Sequence, residues 1–131
     1  MEPKDKALLL VEICARYPYG LMVRYDDKIV CVEEIHFSDS GQYFFTLKAE
    51  VKKYVGVNIE RIKPYLKSMS RMTDEEKEEY MNTFCELKDE LGTVIRYPSY
   101  ASTDWLTAHH YDYKGLIKTG LSLEALEGMY K

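Results

Sequence analysis

A chain of 131 residues, 46% hydrophobic and 31% charged, carries enough material for one compact core beneath a solvated surface. Its formal charge of −4, from 22 acids against 18 bases, argues against a whole-protein attraction to nucleic acid or acidic membranes and leaves room for a local patch. Cys14, Cys31 and Cys85 form no Cys-x-x-Cys pair, so a metal clip or disulfide framework is not expected, and reduced, buried thiols in a cytoplasmic protein are.

The first predicted element is a helix over Pro3–Arg16. Pro3 suits a first helical turn, and Glu2 and Asp5 sit near the positive end of the helix dipole. Leu8, Leu9, Leu10, Val11, Ile13 and Cys14 cover most of the circumference, and Asp5, Glu12 and Arg16 fall on one narrow polar face. A helix this apolar is buried or paired. The run Ala7–Ala15 has the outline of a signal-peptide core, but Glu12 interrupts it and no small-residue cleavage site follows. It is too short to span a bilayer, so a cytoplasmic protein without a membrane partner is expected. Tyr17-Pro18-Tyr19-Gly20 stops the helix.

From Leu21 the period changes to two. Leu21, Val23 and Tyr25 share one face; Ile29, Cys31, Ile35 and Phe37 alternate in the next strand. Ser38-Asp39-Ser40-Gly41 turns the chain into Gln42–Lys48, with Tyr43, Phe45 and Leu47 on one side, and Val55, Val57 and Ile59 mark a further strand. These spacings predict an antiparallel β-meander or a small SH3-like barrel.

Ile62–Leu66, with Pro64 inside it, reads as a turn leaving the sheet, and Lys67–Met72 as a polar link. The link separates an N-terminal helix plus β module, 1–66, from a helical segment, 73–131, packed on it as one compact unit. Thr73 and Glu76 make a capping box. Tyr80, Phe84, Leu87 and Leu91 then form a helical stripe that Gly92 ends. Thr93–Ala101 reads as a loop with a short strand at Val94–Tyr97. Ser102, Thr103 or Asp104 caps a helix to about His110, Asp112 caps another through Lys118, and Ser122 starts a final turn through Leu126. The predicted class is α+β.

Two long segments also carry a resemblance. Ile62-Lys-Pro-Tyr-Leu-Lys-Ser-Met-Ser-Arg-Met-Thr-Asp-Glu-Glu-Lys77 is similar to a linker-plus-helix, and Asp104-Trp-Leu-Thr-Ala-His-His-Tyr-Asp-Tyr-Lys-Gly-Leu-Ile117 with its continuation to Tyr130 resembles a C-terminal signature. Both belong to a family of small uncharacterised proteins of Bacteroides-type gut bacteria and their phages or mobile elements. Tyr17–Leu21 fits the same family, and Leu126 stands where many of its members have proline. The resemblance implies an intracellular protein in a phage or prophage setting and supplies no catalytic residue.

Three groups of side chains are candidate sites. Trp105, His109, His110, Tyr111 and Tyr113 offer an aromatic binding surface, or an anchor that docks the tail. His109, His110 and Asp112 are types that bind metals or move protons, but adjacent helical residues point about 100° apart and do not share a ligand easily. Asp112 also has a capping role available. Lys48, Lys52, Lys53, Arg61, Lys63 and Lys67, with Tyr54 and Tyr65, form the nucleic-acid candidate, because small barrels stack bases on aromatics beside basic residues. Glu50 and Glu60 interrupt that run. The acidic run Asp74–Glu79 suits a basic partner or simply the helix start. There is no Gly-rich phosphate loop, nucleophile elbow or metal-ligand quartet, so no catalytic residue, metal or cofactor is assigned. The reading that follows is a noncatalytic binding or adaptor protein of phage or mobile-element origin, whose partner is a phage or host protein. A nucleic-acid-binding accessory protein is the alternative, and an enzyme at His109, His110 and Asp112 comes last. Oligomeric state is not readable from these features.

Overall fold

The computed structural model describes residues 1–130. It is an α+β structure: helix α1 (Pro3–Arg16), strands β1 (Met22–Tyr25), β2 (Lys28–Phe37), β3 (Tyr43–Lys48), β4 (Lys53–Asn58) and β5 (Ile62–Ser68), helix α2 (Asp74–Met81), strands β6 (Cys85–Lys88) and β7 (Val94–Tyr97), helix α3 (Tyr100–Ala108), and two short strands, β8 (Tyr111–Asp112) and β9 (Leu123–Glu124).

The predicted meander β1–β4 is antiparallel, and β5 returns to pair with β1 on its other side. The strand order is β4-β3-β2-β1-β5-β8, with β9 also on β5, and no ladder among the described residues joins β4 to β5 or β8. The expected SH3-like barrel is therefore not closed. Instead α1 covers the apolar face of the open sheet: Leu9 and Ile13 are fully buried against Val23, Val30, Phe45, Leu47 and Leu66. Each such aliphatic side chain contributes roughly 1.5–3 kcal/mol on burial.

Ile62–Leu66 is strand, not turn, and Lys67 and Ser68, expected in a polar link, continue it. Pro64 is tolerated because at that residue β1 is the one ladder neighbour; β9 and β8 join only from Tyr65 onward, both parallel to β5. The tail thereby returns to the strand where the predicted boundary lay. In β2 the inward face is Val30 and Val32, while Ile29 and Phe37 are exposed; a bulge between Val32 and Glu34 changes the phase of the strand.

The predicted long stripe after Thr73 is overturned. The capping box forms, with Thr73 Oγ1 accepting from Glu76 N–H at 3.1 Å and Glu76 Oε1 accepting from Thr73 N–H at 3.2 Å. The helix nevertheless ends at Met81, and Leu87 lies in β6. Asp89 Oδ1 accepts from the N–H groups of Leu91 and Thr93, and Gly92 supplies a φ of +83°, so Asp89–Gly92 is a tight turn into β7. The predicted strand at Val94–Tyr97 is present, and it is this partner that draws Cys85–Lys88 out of helix.

Helix α3 starts one turn earlier than predicted, at Tyr100, where Ser99 N–H donates to Ser102 Oγ at 3.0 Å. The helix predicted after Asp112 is a series of turns. Asp112 still acts as a local acceptor, its carboxylate receiving the N–H groups of Leu116 and Ile117 at 2.9 Å each. Leu123 and Glu124, expected in a final helical turn, pair with Tyr65 and Leu66.

Candidate interaction surface

The β6–β7 hairpin stands apart from the main sheet and, among the described residues, pairs with no other strand. Cys85 faces Tyr97 and Leu87 faces Ile95 across the ladder, so these four side chains share one face. The other face holds Glu86, Lys88, Val94 and Arg96, with Arg96 clamped on Glu86 at 2.9 Å. Among the described residues nothing covers the apolar face: Leu87 is 55% exposed, Ile95 53% and Tyr97 42%. Tyr97, Pro98, Tyr100 and Thr103 continue it into a shallow groove of about 460 Å³ at the start of α3, where Tyr100 is 92% exposed. A two-stranded hairpin is marginal by itself. Here its base is held by Phe84 edge-on to Tyr80 at 5.1 Å, by Thr83 Oγ1 donating to Ser102 Oγ at 2.8 Å, and by Ser99 Oγ donating to the Thr83 carbonyl at 2.9 Å.

The tail residues singled out in the sequence are brought together, but largely against one another. Trp105 stacks on His109 with centroids 3.9 Å apart and lies nearly parallel to Tyr111 at 5.9 Å. Tyr111 is fully buried; its hydroxyl donates to Glu76 Oε2 at 2.7 Å, and Lys67 Nζ sits 4.3 Å over its ring. Burial together with the neighbouring Glu76 charge pushes the Tyr111 phenol well above its usual range. Burial works to raise the Glu76 carboxyl, yet the hydrogen bonds from Tyr111 and Thr73 and the Lys67 charge outweigh it and leave the pKa lowered. Tyr113 lies under the Arg16 guanidinium at 5.5 Å.

The two histidines diverge. His109 Nδ1 bonds the Trp105 carbonyl at 2.8 Å, whereas His110 Nε2 bonds the Tyr19 carbonyl at 2.8 Å and stacks on Tyr130 at 3.9 Å. A carbonyl only accepts, so His110 carries its proton on Nε2 and leaves Nδ1 as a buried acceptor without a partner among the described residues. Burial, offset in part by the Tyr19 bond, pushes its pKa down to about 4. His110 also sits at φ +60°, which ends α3 and turns the chain into β8. Both histidines border a polar cleft of about 560 Å³ with Tyr19, Lys67, Glu76 and Glu79. Among the described residues no three His, Cys, Asp or Glu side chains are grouped to hold a metal ion.

The basic candidates divide between two faces of the sheet. Lys48 stands opposite Lys53 on β3–β4, and Lys63 opposite Arg24 on β1–β5, all on the outer face away from α1. Tyr54 is on the core side, 5.0 Å from Tyr25, with Lys52 at 5.2 Å over its ring. Tyr65 is buried, and Arg61 pairs with Asp26 at 3.4 Å. Neither tyrosine therefore offers an open ring beside the outer basic residues.

No protein-family model, curated protein or solved structure matches the chain. Among the described residues no helix is long and apolar enough to cross a membrane. The surface residues missed in the sequence are Leu87, Ile95, Tyr97 and Tyr100. The signal was the alternation in Cys85–Lys88 and Val94–Tyr97 about an Asp89–Gly92 turn, hidden because Tyr80, Phe84, Leu87 and Leu91 also match a helical stripe.

Proposed function

We propose that this is a noncatalytic binding or adaptor protein that acts through protein contacts, in a phage or mobile-element setting. The observation that carries the reading is the uncovered hairpin face of Leu87, Ile95 and Tyr97, continued by Tyr100. Two strands that bury neither face of their ladder gain little from folding alone, and contiguous apolar surface of this kind marks an interaction site. The hairpin is also displayed from a hydrogen-bonded base rather than folded back on the sheet, a geometry suited to adding a partner strand or filling a partner's groove. The phage or mobile-element setting rests on the resemblance of the Ile62–Lys77 and Asp104–Tyr130 segments.

The test is retention of proteins from host lysate by the wild-type chain and by Leu87→Thr/Ile95→Thr, which keeps strand-forming side chains but removes the apolar face. Bands retained by the wild type and lost by the variant are expected. Identical retention by two proteins of equal far-UV circular dichroism would remove the hairpin from the function.

A second reading is nucleic-acid binding through Arg24, Lys48, Lys53 and Lys63, favoured by their common outer sheet face. Titration with single- and double-stranded oligonucleotides at low and high salt tests it; absence of salt-sensitive binding ends it.

A further inference from the structure

The charge around the hairpin says what its partner carries, given the hairpin reading above. Residues 73–98 hold eight acidic and three basic side chains, a formal charge of −5, while the whole chain is −4. The negative charge of the protein is therefore concentrated on α2 and the hairpin, and the remainder is close to neutral. Part of it is used internally: Glu76 by Tyr111, Glu86 by Arg96, and Asp89 by the turn. Asp74 has Lys77 at 3.9 Å, with its own side chain in open water. Glu75, Glu78, Glu79 and Glu90 form no ion pair among the described residues, whose pairs on this segment involve Asp74, Glu76 and Glu86.

A helix start accounts for acids in the first turn of α2, at Asp74, Glu75 and Glu76. It does not account for Glu78 and Glu79, which lie in the second half, where the dipole disfavours them. Unpaired acids on the helix that leads directly into the hairpin, and on its turn, also disfavour self-association. Two copies meeting hairpin to hairpin would bring −5 against −5 at close range, and like charges across an interface are costly. The same field attracts a cationic partner.

We propose that the hairpin docks a basic, apolar polypeptide segment of another protein: aliphatic side chains laid on Leu87, Ile95 and Tyr97 and into the Tyr97–Tyr100 groove, with Lys or Arg directed at Glu75, Glu78, Glu79 and Glu90. The apolar contact supplies the area, and the acidic margin selects the sign of the partner and speeds its approach.

The probe is a short fluorescent peptide alternating Lys and Val, compared with its counterpart alternating Glu and Val, titrated against the full chain by anisotropy. The Lys peptide is expected to bind saturably, about tenfold or more tighter than the Glu peptide, and to weaken as salt is raised. Glu75→Gln/Glu78→Gln/Glu79→Gln, which keeps good helix formers, is expected to weaken it about fivefold or more, as is Leu87→Thr/Ile95→Thr. Both variants are checked for unchanged far-UV circular dichroism. Equal binding of the two peptides, binding of neither, or Lys-peptide binding indifferent to the Gln triple variant would each overturn the basic partner. A loss in the Leu87/Ile95 variant alone would overturn the inference while supporting the hairpin as a docking surface. A loss in the Gln variant with none in the Leu87/Ile95 variant would overturn both.

Discussion

The Arg16 guanidinium donates a 2.6 Å hydrogen bond to the carbonyl of Tyr111, joining the last turn of α1 to β8. The same guanidinium pairs with Glu12 at 2.7 Å, and both side chains are almost wholly buried. Glu12 Oε1 has no hydrogen bond, though Lys114 Nζ lies 3.4 Å away. The narrow polar strip of Glu12 and Arg16 along α1 is thus its contact with the tail.

Removing one partner of this pair should cost far more than removing both. Arg16→Met would leave the dehydrated Glu12 carboxyl to Lys114 alone, a loss of about 3–5 kcal/mol. Glu12→Leu/Arg16→Met should recover most of that, since the poorly compensated buried carboxyl goes with it. Urea denaturation with unchanged m-values measures both. Equal destabilisation of the single and double variants would show that the charge is not what matters.

His110 predicts an acid-labile fold. Its folded pKa of about 4 lies below the ordinary 6.5, so the unfolded chain takes up a proton the folded chain refuses. The stabilisation is complete above about pH 6.5 and is lost progressively as pH falls toward 4, by on the order of 3 kcal/mol. His110→Asn, which tolerates the positive φ, should flatten the stability profile in that window whatever its effect at pH 7. A wild-type slope retained by the variant would assign the acid lability to other groups.

Tyr111→Phe deletes the hydroxyl that Glu76 accepts and leaves the ring stacked on Trp105. A loss of about 1–3 kcal/mol is expected for a hydrogen bond to a charged acceptor. Glu76 should also titrate nearer the usual carboxylate range, which carboxyl NMR would follow. Its lowered pKa contributes stability above the unfolded value that disappears as pH falls through the folded one, so the variant should lose less on acidification. An unmoved Glu76 titration would place the cause with Thr73 and Lys67 instead.

The hairpin should open without the rest of the chain. Amides of β6 and β7 are expected to exchange with solvent much faster than those of β1 and β5, whose ladders lie over the core. Asp89→Ala, which removes the acceptor for two turn N–H groups, should speed exchange in the hairpin and leave the global unfolding midpoint nearly unchanged. Uniform protection across both sheets would mean that the hairpin is part of the main cooperative unit.

Features that depend on a few adjacent residues were legible in the sequence. Pro3 and Tyr17–Gly20 bracket α1, Thr73 and Glu76 cap α2, and the Ser38–Gly41 turn joins β2 to β3. The α+β class and the four-strand meander follow from alternation that each strand carries within itself. Of the candidate site, the tail aromatics were visible as a cluster, but which of them face solvent was not.

What tertiary structure decided is which of two permissible local patterns had a partner. Tyr80–Leu91 fits a helix by spacing, yet Val94–Tyr97 stands ready to pair with Cys85–Lys88, and backbone hydrogen bonding across that turn ends the helix at Met81. Ile62–Leu66 looks like a turn because of Pro64, yet Val23 meets it across the ladder from far earlier in the chain. Glu12 and Arg16 read only as part of a narrow polar face until the Tyr111 carbonyl arrives from β8. In each case the local sequence set what was sterically allowed, and contacts distant in sequence chose among the options. The exposed face of Leu87 and Ile95 is the product of such a choice.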